Sequence, residues 1–250
     1  MFYLISVGLS IRQITLEAFD TMRKCDELYF DTYTSIYADT LQKLEQIAGK
    51  NIVPLGRLEI EGLFFEKLKA AKEKNIGLIV VGNALFATTH IQLLIDCAEL
   101  GVPYKFIPGV SLTSYLGLTG LSTYRFGETV SIVIPEEHYS PKSFYEKIAR
   151  NYKNNLHSLC LLDIKDGKPV TVASALSRLL EIEKRRKRKL IKDATIIVIC
   201  KAGTDEEIVI AGKASELAEK NLGTPASLII CAELSENERR AIKALYMQKV

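Results

Sequence analysis

The stretch "GLIVVGNALFATTH", residues 77–90, joins an apolar run to a short polar loop that leads into a helical pattern. The run "GLIVV" is typical of a buried strand, and it ends at Gly82-Asn83. A Thr-Thr-His string follows before the next apolar segment begins. Two interpretations remain open: a tight strand-to-helix turn, or a ligand site at the carboxyl end of a strand.

The composition is that of an ordinary globular protein. The chain has 250 residues, 48% hydrophobic and 25% charged, which is enough for one large domain or two moderate ones. No apolar run approaches the ~20 residues that span a membrane. We interpret "MFYLISVGLS" at the N-terminus as a first strand rather than a signal peptide. The five cysteines, an odd number without a C-x-x-C pair, predict buried thiols in a reducing cytoplasm.

One segment, "EKRRKRKLIK" at residues 183–192, is strongly basic in a chain whose net charge is +3. The simplest interpretation is the solvated end of a helix, where cations oppose the negative end of the helix dipole. A nucleic-acid contact or an acidic protein partner is the alternative. No aromatic side chain interleaves the run, which argues against a platform for stacking single-stranded bases.

Apolar runs alternate with helical patterns in the first half of the chain. This alternation predicts a mostly parallel sheet with helices on its faces. The predicted strands are 2–7, 27–31, 51–55, 77–81 and 104–108, and the predicted helices are 14–25, 64–75 and 91–101.

The second half has neighbouring strands without a helix between them, which predicts a mixed, partly antiparallel sheet. The segment "IIVICKAGTDEEIVIAG", residues 196–212, has the pattern of a hairpin. We therefore predict two α/β domains, 1–110 and 111–250, joined near 108–115. The predicted strands are 128–135, 157–164, 194–200, 206–212 and 226–232, and the predicted helices are 141–154 and 172–190.

Three loops, 6–10, 81–90 and 108–114, follow predicted strands, which is where open α/β sheets bind ligands. Each also has a structural interpretation. Thr89 and Gln92 have the spacing of a capping box, and Ser111 is placed to cap the next helix. The sequence lacks G-x-G-x-x-G, a P-loop lysine motif and G-x-S-x-G, so the usual nucleotide and hydrolase fingerprints are missing.

The three histidines, His90, His138 and His157, are scattered and do not form a metal-ligand pattern. We interpret His90 as a surface or capping residue, with a functional role as the alternative. Asp163 follows an apolar strand and is either a charged residue at a strand end or a site residue. The residues alone predict a two-domain α/β protein with a ligand cleft and do not specify a reaction.

Six segments in order carry a family resemblance that spans most of the chain. The Tyr-Thr-Ser of the second segment, the Ala-Thr-Thr-His of the third and the T-G-L…Y-x-F-G string of the fourth are selective in combination. With these motifs the chain resembles the diphthine synthase family, within the tetrapyrrole-methylase-like class of S-adenosylmethionine-dependent methyltransferases. The segments are "FYLISVGLS" (2–10), "KCDELYFDTYTS" (24–35), "VGNALFATTH" (81–90), "PGVSLTSYLGLTGLSTYRFG" (108–127), "LHSLCLLDIK" (156–165) and "CKAGT" (200–204).

The resemblance implies two α/β domains with a cleft between them that binds S-adenosylmethionine and releases S-adenosylhomocysteine. It implies a cytoplasmic homodimer that methylates the amine of the modified histidine of translation elongation factor 2, in diphthamide biosynthesis. It assigns no catalytic residue and no metal, and neither nucleic acid nor membrane as a partner. A precorrin-type tetrapyrrole acceptor, or a donor-binding paralog without activity, are the alternatives. Asp163 or His90 is a candidate for assisting proton removal.

Donor contacts carry over by position, and most are expected to be made by the backbone. Two departures from the family pattern involve three positions. Asn83-Ala84 stands where the family has Asp-Pro, which removes a charge next to a cationic donor and loosens the loop, since proline fixes φ. Ser227 stands where the family often has histidine. The implied donor contacts are Leu9, Asn83, Phe86, Ser111, Leu112, Leu162, Ala202 and Ser227.

Overall fold

The computed structural model describes residues 1–133, 135, 140–165 and 167–246, and these form two five-stranded sheets and a two-stranded ribbon. The chain divides into two units, Met1–Ser114 and Tyr115–Val250, each built around one five-stranded sheet. The α/β class predicted from the sequence is therefore confirmed.

The sheet of the first unit is entirely parallel. Its strands are β1 (Phe2–Ser6), β2 (Glu27–Asp31), β3 (Val53–Leu55), β4 (Ile76–Val80) and β5 (Tyr104–Ile107), in the order β3-β2-β4-β1-β5. Four helices accompany it: α1 (Leu16–Lys24), α2 (Leu41–Ala48), α3 (Phe65–Ala70) and α4 (Ile91–Leu100). An apolar core lies on each face of the sheet, which explains why β4 is apolar and buried along its whole length.

The sheet of the second unit is mixed, as predicted. Its strands are β6 (Val130–Ile132), β7 (Ser158–Leu162), β10 (Ile196–Cys200), β11 (Ile208–Gly212) and β12 (Ala226–Ile230), in the order β11-β10-β12-β7-β6. Only β6 and β7 run parallel among the described pairs of this sheet, and β10–β11 is the predicted hairpin. The ribbon consists of β8 (Ile164–Lys165) and β9 (Lys168–Pro169), and the helices are α5 (Ser143–Lys153), α6 (Val172–Arg186), α7 (Leu190–Asp193), α8 (Ala214–Ala218) and α9 (Glu236–Leu245).

The basic run lies at the end of α6, as the helix-end interpretation expects. The predicted helix 172–190 is too long, because Lys187 adopts a left-handed conformation (φ 53°) that stops α6 at Arg186. Glu183 is buried in this turn and accepts hydrogen bonds from the Ile191 and Lys192 N–H groups, at 2.6 and 2.9 Å. These bonds satisfy the first N–H groups of α7, so a second short helix begins there.

A buried polar network in the second unit includes residues of the T-G-L…Y-x-F-G string at 119–127. The Nε2 atom of His157 lies 3.1 Å from Glu238 Oε1, and its Nδ1 atom accepts a hydrogen bond from the Ala232 N–H at 3.1 Å. Arg125 of the string is paired with Glu238, and the Ser122 N–H donates to the same carboxylate at 3.0 Å. The string therefore connects the start of α9 to the strand β7 region.

Candidate functional site

Three loops of the first unit meet where β1, β4 and β5 end. These strands are neighbours in the sheet, so their carboxyl ends share one edge. Gly8 and Gly82 form an isolated bridge across this edge, and the Gly82 N–H donates to the Gly8 carbonyl at 2.8 Å. Both glycines have positive φ, 76° and 74°, a conformation that favours glycine.

Gly109, in the loop after β5, lies close to the backbone of the other two loops. A Cβ atom at this position would lie 2.6 Å from the Gly82 carbonyl oxygen, 2.7 Å from Ser6 Cβ and 3.1 Å from the Gly8 nitrogen. The backbones of the three loops are therefore packed against one another without room for a side chain. Such a backbone cradle fits a ligand that is held mainly by main-chain N–H and C=O groups.

The loop after β4 is fixed by side-chain hydrogen bonds. Asn83 Oδ1 accepts from the Leu85 N–H at 3.0 Å, which forms an Asx turn. The Ala84 N–H donates to Ser6 Oγ in β1 at 3.0 Å, and the Phe86 N–H donates to the Asn83 carbonyl at 3.0 Å. The Asn83 amide NH2 group remains as a donor, and the side chain is half-buried.

Five of the implied donor contacts belong to this edge. Leu9 follows the Gly8–Gly82 bridge, and Ser111 is a buried residue of the loop after β5. If Gly82 carried a Cβ, that atom would lie 3.6 Å from Leu9 Cδ2 and 3.7 Å from Ser111 Cβ, so the structure brings these positions together. Leu112 begins a 3₁₀ helix (Leu112–Thr119) directly after Ser111, and Phe86 is half-buried in the loop after β4.

The other three implied contacts lie together at one edge of the second sheet. Leu162 is the last residue of β7, and Ala202 follows β10. Ser227 near the start of β12 is paired with Leu161 of β7 and with Ile199 of β10. Because β12 runs antiparallel to both neighbours, its beginning lies beside their ends. Each unit thus places its set of predicted residues at a single sheet edge.

Asp31, at the end of β2, and His90, after β4, form a buried contact. His90 Nε2 lies 3.1 Å from Asp31 Oδ2, and the two side chains are 1% and 0% exposed. Burial favours a raised pKa for Asp31, but contacts with His90, the Thr34 hydroxyl and the Tyr33 N–H outweigh burial and lower the pKa below its ordinary value. The prediction that His90 is a surface residue is wrong, because its ring is buried against Asp31. His90 does occupy the N-cap position of α4, but its side chain makes no capping hydrogen bond.

Two capping predictions for these loops are also wrong. The Thr89 hydroxyl donates to Glu61 Oε1 at 3.2 Å instead of capping α4, which begins at Ile91. The Ser111 hydroxyl pairs with Thr113 Oγ1 at 2.7 Å. The Thr89 hydroxyl is thus bonded to a residue distant in the sequence, and the Ser111 hydroxyl to a neighbouring hydroxyl, so neither one caps a helix.

The remaining candidates have different surroundings. Asp163 is exposed, and its Oδ1 accepts a hydrogen bond from the Ile164 N–H at 2.9 Å. His157 belongs to the structural network of the second unit, and His138 lies outside the described residues. Across the described ranges no group of three or more His, Cys, Asp or Glu side chains has the arrangement of a metal site. The helices within those ranges include none that is long and apolar enough to cross a bilayer.

Sequence reasoning missed the residues that shape the cradle. Ser6 and Gly109 carry no motif, since a serine at a strand end and a Pro-Gly dipeptide are common. The pairing of Asp31 with His90 had a signal, because a carboxylate directly after the apolar run "LYF" needs a buried partner. Glu61 had no signal, since it lies in a π-helical turn (Glu59–Leu63) that periodicity does not predict.

Comparisons with known proteins place this fold and these loops in one family. The profile of the tetrapyrrole (corrin/porphyrin) methylases matches residues 1–218. Diphthine methyl ester synthase of Schizosaccharomyces pombe is 35% identical over 249 residues, covering 92% of this chain and 88% of the relative. Diphthine synthase of Methanococcus vannielii is 35% identical over 251 residues, covering 97% and 98%. A crystal structure of diphthine synthase superimposes with a TM-score of 0.89 at 26% identity, covering 98% and 96%.

Proposed function

The chain belongs to the family of tetrapyrrole (corrin/porphyrin) methylases, and from this premise we propose that it is the methyltransferase of diphthamide biosynthesis. It transfers a methyl group from S-adenosylmethionine to the amine of the modified histidine of translation elongation factor 2. The observation that supports this function best is the agreement between relatives named for diphthine over nearly the whole chain and the glycine cradle at the β1–β4–β5 edge.

The residues of the cradle fit the methyl donor. Its adenosyl and amino-acid parts offer many hydrogen-bonding groups, and the crowded backbone around Gly109 offers main-chain partners at close range. The free amide NH2 of Asn83 is suited to a carboxylate or hydroxyl, and Leu9 and Phe86 supply apolar contact. When bound, S-adenosylmethionine supplies a methyl group on a positively charged sulfur.

The protein's contribution to the chemistry is position. His90 and Asp31 are directed at each other in the interior, so they hold structure and do not exchange protons with a bound acceptor. Holding an amine and a methyl group in a reactive geometry supplies about 7–11 kcal/mol of the barrier. The ammonium form of the acceptor first loses a proton to solvent, because only the neutral amine has a lone pair that accepts the methyl group.

The names of the relatives distinguish two products. The Schizosaccharomyces pombe relative is named for a methyl ester, whereas the Methanococcus vannielii relative is named a diphthine synthase. An ester forms on a carboxylate oxygen, so methylation of nitrogen alone and methylation of both nitrogen and oxygen are the two outcomes to be distinguished. Mild alkali separates these outcomes, since it hydrolyses a methyl ester to methanol and leaves N-methyl groups in place.

The test uses elongation factor purified from cells that lack this chain, incubated with the protein and methyl-labelled donor. Label on the histidine-containing peptide supports the proposal, and the fraction released by alkali gives the share of ester. A precorrin-type tetrapyrrole is offered in parallel. Transfer to the tetrapyrrole alone replaces the proposed acceptor. Binding of the donor without transfer to either acceptor favours a donor-binding paralog.

We further propose that the chain works in the cytoplasm as a homodimer of two-domain subunits, with domains 1–110 and 111–250. All five cysteines are free and buried, which fits a reducing compartment. Large apolar side chains are exposed on the first unit, including Leu58, Leu63, Ile91 and Ile95, and such side chains favour association. Light scattering of the eluting protein tests the dimer, and a mass of one subunit refutes it.

A further inference from the structure

The two strings that mark this family in the first unit face each other in space. The Asp-Thr-Tyr-Thr string at residues 31–34 begins with the last residue of β2, and the Thr-Thr-His string at 88–90 follows β4. Strands β2 and β4 are paired in parallel, so the two strings leave the sheet side by side. We call the segments 31–34 and 82–90 the first and second loops.

The hydroxyl groups of the first loop are used internally. The Thr32 hydroxyl donates to the Leu55 carbonyl at 2.8 Å, and the Thr34 hydroxyl donates to Asp31 Oδ2 at 2.5 Å. The Tyr33 hydroxyl donates to Glu61 Oε1 at 3.2 Å. These groups are typical of a polar binding surface, but here they fix the loop that carries them.

The second loop is fixed in the same way. The Thr88 hydroxyl donates to the Ala84 carbonyl oxygen. The Thr89 hydroxyl donates to Glu61 Oε1, the same oxygen that accepts from Tyr33 in the first loop. Glu61 therefore joins the two loops near the surface, and Arg57, 3.5 Å from the Glu61 carboxylate, balances its charge.

His90 joins the two loops again in the interior. Its Nε2 atom lies 3.1 Å from Asp31 Oδ2 in the first loop, at ion-pair distance although the ring is not aligned for a linear hydrogen bond. Its Nδ1 atom lies 3.3 Å from the Ala84 carbonyl oxygen in the second loop. The two ring nitrogens therefore face oxygen atoms in different loops, Nε2 the Asp31 carboxylate and Nδ1 the Ala84 carbonyl.

His157 provides a matched contrast. It is also buried, with Nε2 at 3.1 Å from a carboxylate, but its Nδ1 accepts a hydrogen bond from a backbone N–H. The neutral ring satisfies both of its contacts, and the pair belongs to the second unit. One histidine joins two site loops and the other stabilises a helix start, with nearly the same burial and distance.

We propose that Asp31, His90 and Glu61 are positioning residues. They hold the first loop against the second loop, and this keeps the methyl donor and the acceptor correctly placed relative to each other. Asn83 and Phe86 lie in the second loop, whose geometry the His90–Ala84 contact sets. This inference rests on the proposed function for its effect on catalysis. The coupling of the two loops is a property of the free protein and is measurable without any ligand.

Hydrogen exchange of the free protein tests the coupling. The substitutions His90→Gln and Asp31→Asn each remove one side of the buried contact, and we expect amide exchange in peptides covering 32–36 and 82–90 to quicken at least tenfold. His157→Gln is the matched control and leaves those peptides unchanged. Glu61→Gln changes a half-exposed carboxylate and keeps the fold testable if the buried variants do not fold. Unchanged exchange of the second loop in every variant that folds overturns the coupling.

Kinetics and donor titration test the consequence. A merely structural role lowers the fraction of folded enzyme, which reduces kcat and leaves the KM for the donor unchanged. A positioning role raises the donor KM about tenfold in His90→Gln, and the double variant with Asp31→Asn is no worse than either single one because the two residues act as a unit. An unchanged KM in the folded variants, or additive effects, overturns the positioning role. If the wild-type protein binds no donor, the proposed function fails, and the exchange experiment still decides whether the loops are coupled.

Discussion

Replacing Gly109 with alanine tests whether the cradle depends on close backbone packing. The added Cβ atom would lie 2.6 and 2.7 Å from two atoms of the neighbouring loops, whereas carbon atoms in ordinary contact are about 3.5–4 Å apart. One of the obstructing atoms is the Gly82 carbonyl oxygen, which cannot move without moving its loop. Inserting a methyl group into a well-packed interior costs about 1–3 kcal/mol, and we expect the upper end here.

A loss of about 3 kcal/mol lowers Tm by roughly 6–12 °C for a chain of this size. Since the loops after β1 and β4 must separate to admit the methyl group, we expect donor affinity to fall at least tenfold in the fraction that stays folded. Calorimetry with S-adenosylmethionine measures the affinity, and thermal unfolding followed by circular dichroism measures Tm.

Gly62→Ala is the matched control. Gly62 lies in the same unit and within the turn Glu59–Leu63, and a Cβ atom there would meet nothing within 4 Å. The same chemical change is expected to leave donor affinity unchanged and to raise stability by at most about 1 kcal/mol, because alanine restricts the unfolded chain. If Gly109→Ala matches Gly62→Ala in both Tm and donor affinity, the loops are not packed as described and the cradle is not the donor site.

Three further predictions follow from single contacts. Asn83→Asp keeps the acceptor for the Leu85 N–H and adds a negative charge, so calorimetry should show about fivefold tighter binding of the cationic donor; equal or weaker binding contradicts a favourable charge. In the second unit, burial favours a raised pKa for Glu238, but hydrogen bonds from two backbone N–H groups and the His157 contact lower that pKa to about 2. Burial lowers the pKa of His157 below its ordinary 6.5. Both groups bind protons more readily when unfolded, so the free energy of unfolding should fall as pH drops below 6.5 and again from about 4.5 towards 2; denaturant unfolding at pH 7, 5 and 3.5 measures this, and a flat profile refutes it. Thr15→Ala removes the hydroxyl that caps α1 and should cost about 1 kcal/mol, with no change in donor affinity.

The strands were predictable because their signal is local. A buried parallel strand covered on both faces is a continuous apolar run, and each predicted run of the first half contains or closely matches a strand. The signal for the end of α4 is equally local, since Gly101 adopts the left-handed conformation (φ 66°) that favours glycine after a helix. The helices α2, α7, α8 and α9 were missed, although Ser235 and Glu238 have capping-box spacing and form that box at α9.

The candidate site was less predictable because its contacts join residues far apart in the sequence. Thr89 and Gln92 have the same kind of spacing as Ser235 and Glu238, yet the Thr89 hydroxyl goes to Glu61, 28 positions away. The capping-box spacing was the same at both places, and the presence of the Glu61 carboxylate near Thr89 explains why only Ser235 caps a helix. The burial of His90 was not predicted for the same reason, since its partner Asp31 lies in β2, far away in the sequence.

The departure at Ala84 shows how a backbone site tolerates side-chain change. Where the family pattern has proline, a fixed φ restrains the loop, and its loss was expected to loosen it. Alanine, however, has an N–H group that proline lacks, and this N–H donates to Ser6 Oγ at 3.0 Å in the buried interior. The loop is thus tied to β1 by a hydrogen bond that a proline at this position could not make. The Asn83 side chain adds the Asx turn on the next residues. The contacts of Ser6, Asn83 and His90 thus restrain this loop in a chain that lacks the proline of the family pattern.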